Sequence, residues 1–213
     1  MRHLSKLRER RGRWRFRLAA RVFWCRWKHS LALLLATLVP FACSTAGGAQ
    51  TNSPGEYQLK AAFLFNFAKF IEWPPTSFAN PQSPFFICVL GMDPFGRTID
   101  DLLAGKAIGN HPVSIERSDE LAEERHCQVV FVSSAEKRRV REVLNGLKGT
   151  NSLVVGETEG FAAAGGVIQF DLEENHVRFL INTDAADRAG LKVSSKLLSL
   201  AKVVHDAPGN DRS

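Results

Sequence analysis

The segment Gly91-Met92-Asp93-Pro94-Phe95-Gly96-Arg97-Thr98 has the spacing of a phosphate-cradling loop, G-x-x-x-x-G-K-[ST]. It also falls where such a loop belongs, between an apolar run that reads as a strand and a helical pattern. The chemistry fails on three counts. Arg97 stands where the phosphate-binding lysine is required, and Pro94 removes one of the amides that would face an anion. Asp171 is only a loose candidate for the Mg²⁺-binding carboxylate. The segment therefore reads as a tight strand-to-helix turn with Gly at positions of positive φ. It is also a place where a small ligand or a partner could sit, because the carboxyl ends of central strands are favoured binding positions.

Other reactive side chains do not assemble. Ser133-Ser134 follows an apolar strand pattern but lacks the G-x-S-x-G elbow of a strained nucleophile. His111, His126, His176 and His205 are scattered over different elements with no i, i+4 pairing, so they read as satisfied or exposed histidines. Asp100-Asp101 and Glu173-Glu174 are adjacent carboxylates for which solvation is the default. No acid, base and nucleophile occur in a recognisable order, so no catalytic residue, metal or cofactor is expected.

Residues 1–49 have the composition of a cleaved secretory signal. Eleven Lys and Arg residues precede Ser30, opposed by Glu9 alone. The uncharged run Leu31–Ala42 follows, then the small residues Ser44-Thr45-Ala46-Gly47-Gly48-Ala49, with the cut expected after Ala46 or Ala49. Twelve apolar residues fall short of the roughly 20 that span a bilayer core. Cys43 offers a minor alternative, a lipid-anchored amino terminus, although Pro40 departs from the usual pattern three places before such a cysteine.

Removing this segment reverses the charge. The chain carries 28 Lys and Arg against 22 Asp and Glu; without the eleven and the one, 17 face 21, a net −4 for residues 50–213. A mildly acidic domain excludes a nucleic-acid footprint. The dense cluster Lys137-Arg138-Arg139-Arg141 remains, beside Glu136 and Glu142, and reads as a solvated helix face.

Cleavage also leaves two cysteines, Cys88 and Cys127, since Cys25 and Cys43 depart with the leader. Both lie in strand-like runs. If those strands pair, their spacing of about 4.8 Å permits a disulfide, and export favours one; two buried free thiols are the other reading. No C-x-x-C and no Cys/His cluster supports redox or zinc chemistry.

The remaining residues are expected to form one α/β domain over 50–205, followed by a disordered tail, 206–213. Ser53, Pro54 and Glu56 make a capping box with Pro in the first turn of a helix over 57–71. That helix is apolar nearly all round and must stop before Trp73-Pro74-Pro75; Asn66 within it reads as a satisfied polar group in a core. Strands are expected over 85–90, 113–116, 127–132 and 153–155, with helices over 96–103, 119–125 and 136–147. A helical turn over 160–164 precedes a hairpin of 167–172 and 176–181 around Glu173-Glu174-Asn175. Helical pattern resumes over 184–189 and 194–204. Such alternation predicts a mostly parallel sheet with helices on both faces and an antiparallel hairpin edge.

Three segments carry a resemblance. They are Tyr57–Pro74 (YQLKAAFLFNFAKFIEWP), Gly160–Ile168 (GFAAAGGVI), and Phe179–Asn182 with Ala189–Ala201 (AGLKVSSKLLSLA). The chain resembles the YfiR family of bacterial periplasmic proteins over essentially all of 56–204. The resemblance implies a non-enzymatic repressor that binds the periplasmic sensor domain of an inner-membrane diguanylate cyclase, lowering cyclic di-GMP and biofilm formation. It implies an OmpA-like outer-membrane lipoprotein that sequesters the repressor, a histidine kinase sensor domain as another partner type, and a homodimer. It also implies a disulfide-stabilised α/β fold in which Cys88 and Cys127 form one bridge; the second cysteine pair of some members is lacking here. For a contact regulator, Phe95 and Phe161 are the expected partner-binding anchors, with a core role as the plainer reading. The other class of function is a periplasmic small-molecule-binding protein that feeds a sensor kinase or a transporter.

Overall fold

The computed structural model describes residues 54–120 and 127–206. The leader with Cys25 and Cys43, the cap Ser53, most of the helix expected over 119–125, His126 and nearly all of the tail lie outside these residues.

Helix α1, Pro54–Phe70, begins with Pro in its first turn and Glu56 close behind. Both suit an amino terminus, where N–H groups lack partners and a negative charge is favoured. Tyr57, Lys60, Ala61, Leu64, Phe67 and Ala68 are buried, the i, i+3, i+4 stripe of a helix packed on one side. Asn66 falls on the opposite, exposed face rather than in the core. The helix gives way to the two-residue strand β1, Ile71–Glu72. There Trp73 folds back, its indole N–H donating to Ala68 O at 3.0 Å. Pro74 and Pro75 then keep α1 from resuming, and Pro75–Ser77 forms only a single 3-10 turn.

The other elements follow in order: β2 Phe85–Leu90, α2 Arg97–Leu103, β3 Ala107–Ile108, β4 His111–Ser118, β5 Val129–Val132, α3 Val140–Gly146, β6 Leu153–Gly156, β7 Ile168–Glu173, β8 His176–Asn182, α4 Thr183–Arg188, β9 Lys192–Val193, α5 Ser195–Leu198 and β10 Lys202–Val204. Among the described residues one sheet runs β10-β8-β7-β6-β5-β2-β4-β3, and β1 pairs with β9 in a small antiparallel ribbon. Strands β4, β2, β5, β6 and β7 are mutually parallel. The β7–β8 pair is the antiparallel hairpin, turning through Glu174 and Asn175 at φ 49° and 62°. The fold is therefore α/β with a mostly parallel sheet, as the alternation of strand and helix patterns requires.

Two differences from the sequence expectation are physical. The pattern over 194–204 is not one helix. Ser194 caps a single turn, α5, and Lys202–Val204 then adds as a parallel strand along the outer side of β8. The apolar residues there satisfy both periods over so short a run, and only the open edge of β8 selects the strand. The helix expected over 136–147 begins at Val140, because Ser134–Glu136 is a tighter 3-10 turn capped by Ser133.

The sheet is covered on both faces. On one side α1, α2, α4 and α5 pack over Phe85, Ile87, Val89, Val129, Phe131, Leu153, Val155, Ile168 and Phe170. Phe67, Phe131, Phe170 and Phe179 touch ring to ring there, Phe67 and Phe179 at 4.9 Å between centroids. On the other side α3 contributes Val140, Val143 and Leu144 to a smaller cluster with Leu90, Val130, Val132, Val154 and Phe161. The disulfide lies on that second side: Cys88 and Cys127 are bonded, with Cα atoms 6.0 Å apart. Cys88 sits opposite Val130 in the ladder and Cys127 just precedes β5, so the bridge ties the middle of β2 to the segment that enters β5.

Candidate functional site

Strand β2 occupies the point where the chain changes direction across the sheet. From β2 the chain passes through α2 to β4 on one side; from β5, on the other side of β2, it passes through α3 to β6. Helix α2 packs on the first face of the sheet and α3 on the second. The loops leaving β2 and β5 must therefore diverge, and divergence opens a crevice at the carboxyl ends of the strands, the general ligand position of open α/β sheets.

The loop after β2 is held rigid. Gly91 and Gly96 take φ of +81° and +52°, as a tight strand-to-helix turn needs. Asp93 accepts the Phe95 backbone N–H at 2.7 Å, closing a local side-chain turn. From β4, Arg117 reaches over the loop: its Nε bonds Asp93 at 2.7 Å, and its terminal nitrogens bond Asp100 at 2.5 Å and Gly96 O at 3.0 Å. Asp100 and then Asp93 hold the Arg117 guanidinium protonated well above its ordinary range. The phosphate-loop pattern is thus used for a clamp, and Asp171 lies away on the β7–β8 hairpin.

The opposite wall is the segment after β5. Ser133 is buried and its Oγ accepts from the Ala135 N–H, so this hydroxyl caps the 3-10 turn. The side chain of Glu136 lies directly over Gly91 and pairs with Arg139 at 3.0 Å. Lys137 and Arg138 are exposed, as a solvated face requires, but they line the crevice from a turn and not from a helix, because α3 starts only at Val140. The resulting cleft has a volume of about 940 Å³, with Tyr57 and Phe95 among its lining and Met92 exposed at its lip.

Beneath the cleft lies a buried ionic cluster that sequence reasoning missed. Lys60 Nζ bonds Glu56 at 2.6 Å and Glu157 at 2.7 Å, and all three side chains are nearly inaccessible. Glu157 also accepts from the Tyr57 hydroxyl at 3.2 Å and from the Ser134 N–H at 3.0 Å. One carboxylate therefore ties α1, the end of β6 and the loop after β5 together. In the sequence Glu56 stands out only as part of the capping box, and no local pattern joins Lys60 to a residue 97 positions on.

Phe95 and Phe161, candidate partner-binding anchors with a core role as the plainer reading, are 3% and 1% exposed, as that core role requires. Phe95 packs edge-on to Phe131 and Tyr57 and so forms the floor of the cleft. The ring of Phe161 is sandwiched between Gly156 and Gly166, where a Cβ on either glycine would overlap it. Neither ring is offered to a partner in this structure; both shape loops at the carboxyl edge of the sheet.

The described histidines stand apart. His111 stacks on Phe78 at 3.8 Å between ring centroids and bonds Ser83 O. His176 bonds Glu174 O in the hairpin turn. His205 pairs with Asp184 at 2.9 Å in a latch at the end of the domain. In that latch Asn182, fully buried, caps α4 through Ala185 N–H and donates to Ala162 O and Asp206. The His205 bond holds Asp184 below the usual carboxylate range. Burial pushes Asp206 up, but bonds from Arg188 and Asn182 outweigh it and hold this carboxyl low as well. Among the described residues no three His, Cys, Asp or Glu side chains are grouped so as to hold a metal ion, and no helix is long and apolar enough to cross a membrane.

Comparison with solved structures returns α/β neighbours at low similarity. The ABC domain in complex with L-Trp from Streptococcus pneumoniae aligns at a TM-score of 0.47 and 8% identity, over 70% of this chain and 60% of that one. A conserved domain protein from Vibrio cholerae O1 biovar El Tor aligns at 0.45 and 11%, over 67% and 59%. The chain thus spans about 60% of the length of these structures. No curated protein matches it. From Tyr57, under the cleft, to Lys202, in the outermost strand β10, the sequence fits a single family model, residues 57–202, and the chain belongs to the YfiR/HmsC-like family.

Proposed function

We propose that this protein is an exported, non-enzymatic regulator that binds the periplasmic sensor domain of an inner-membrane diguanylate cyclase and holds it off, lowering cyclic di-GMP. Membership of the YfiR/HmsC-like family across 57–202 carries this reading. The basic, then apolar, then small-residue order of 1–49 supports delivery to the periplasm as a cleaved leader. The disulfide between Cys88 and Cys127 suits an oxidising compartment. The chemistry at the crevice favours contact over turnover: the Ser133 hydroxyl caps a turn, and the Glu157 carboxylate is engaged by Lys60, Tyr57 and Ser134.

A repressor needs only to bind one conformation of its target better than another. Moving a sensor from mostly on to mostly off takes a differential affinity of about 5 kcal/mol. In this reading the protein acts as a homodimer, and an OmpA-like outer-membrane lipoprotein releases the cyclase by sequestering it. A histidine kinase sensor domain is the corresponding target where such a kinase replaces the cyclase.

The decisive experiment deletes the gene and measures cellular cyclic di-GMP. The level rises in every medium, and it returns to normal on supplying the full chain but not a chain lacking 1–49. An unchanged level in the deletion strain sinks the proposal.

A further inference from the structure

The cleft between the loops after β2 and β5 has two walls of different character. One carries Met92, 72% exposed at the lip, with Pro94, Phe95 and Tyr57 deeper in. The other carries Lys137 and Arg138. Each carboxylate on or under these walls is answered by a cation: Asp93 by Arg117, Glu136 by Arg139, and Glu157 by Lys60. Among the described residues Lys137 and Arg138 have no such counter-charge. Among the described residues the charges left facing the opening are positive, and they lie on one side.

The walls are also fixed in advance. Arg117 pins the first loop to α2, and Glu157 pins the second to α1 through Ser134 N–H. A preformed crevice loses little conformational freedom when it is filled. Its volume of about 940 Å³ falls within the roughly 300–1,000 Å³ range of small-molecule sites. Its place at the switch point of the sheet is the one that open α/β sheets use for ligands.

We propose that this cleft binds a small organic anion, a carboxylate with an apolar body, whose charged group meets Lys137 and Arg138 and whose body lies against Met92, Pro94 and Tyr57. Such a site stands whether or not the target is a diguanylate cyclase. Inorganic phosphate presents the charge without the body, and an uncharged amide presents the body without the charge.

The test titrates the purified protein with sodium phenylacetate, its amide phenylacetamide, and inorganic phosphate, by calorimetry and by amide NMR shifts. Phenylacetate is expected to saturate a single site and to shift the amides of Met92, Thr98 and Ser134. The amide and the phosphate each bind at least about tenfold more weakly, as expected when one half of the recognition is lost. Lys137→Gln with Arg138→Gln, both exposed, weakens phenylacetate by about tenfold while leaving the melting temperature in place. Absence of saturable phenylacetate binding overturns the proposal, as does binding undiminished in the double variant or shifts confined to another region. Equal affinity for the amide overturns the ionic half, and equal affinity for phosphate overturns the apolar half.

Discussion

Glu136 rests on Gly91: an added Cβ at position 91 would stand 2.8 Å from both Cγ and Oε1 of the glutamate. Two loops that leave neighbouring parallel strands in opposite directions meet at this contact. Gly91→Ala is expected to destabilise the protein twice over, by about 1–2 kcal/mol for the left-handed backbone and further by displacing the carboxylate. Glu136→Ala in the same background restores the second part only. Urea denaturation of the two single variants and the double variant checks the coupling.

Phe161 and the glycines around it form one unit. Phe161→Ala is expected to cost about 3–5 kcal/mol, as for other fully buried aromatics. Gly166→Ala is expected to destabilise because its methyl would overlap the ring. The double variant should be more stable than the sum of the two losses, since the truncated ring leaves room for the methyl. A double-mutant cycle in denaturant measures this, and simple additivity would show that the contact is not shared.

Lys60 stands between two buried carboxylates, Glu56 and Glu157. Removing one member of a buried ion pair leaves an uncompensated charge and costs about 3–5 kcal/mol. Lys60→Met is therefore expected to be severely destabilising at neutral pH. Adding Glu56→Gln and Glu157→Gln should recover most of the loss. Thermal melts of the single and triple variants decide this, and a fully stable Lys60→Met would refute a structural role for the cluster.

The bond between Cys88 and Cys127 joins residues 39 positions apart. In the chain-entropy account that restraint is worth about 4 kcal/mol. Replacing both cysteines by Ala, or adding a reductant, should lower the denaturant midpoint correspondingly. Addition of reductant to the double variant should then have no effect.

Acid should loosen the latch at the end of the domain. Asp184 and Asp206 both titrate below their ordinary value of 3.8 when folded. A carboxylate with a depressed folded value contributes stability that is complete above its unfolded value and is lost as pH falls through the folded one. The contribution of both groups is thus present at neutral pH and disappears below about pH 4. Asp206→Asn is expected to lower the melting temperature at pH 7 by a few degrees, with the gap to the parent chain closing in acid. A gap that widened in acid would contradict the sign.

The sequence by itself determined the class of fold, the order of its main elements and the family. Capping residues, strand runs and turn glycines act within a few positions, so Pro54 with Glu56, the run Phe85–Leu90 and the turn at Glu174-Asn175 are readable one segment at a time. The two cysteines were legible as a candidate bond for the same reason, each lying in a recognisable strand pattern. Tertiary structure alone decided which side chains meet across the sheet. It placed Lys137 and Arg138 on the lining of a crevice, joined Lys60 to Glu157 over 97 residues, and decided for Phe95 and Phe161 between an anchor and a core role in favour of the core. It also drew Lys202–Val204 into a strand, because β8 had an unpaired edge beside it. These outcomes depend on strand order and on the divergence of loops from β2 and β5. Such distances are set by packing between remote segments, and no local period in the chain encodes them.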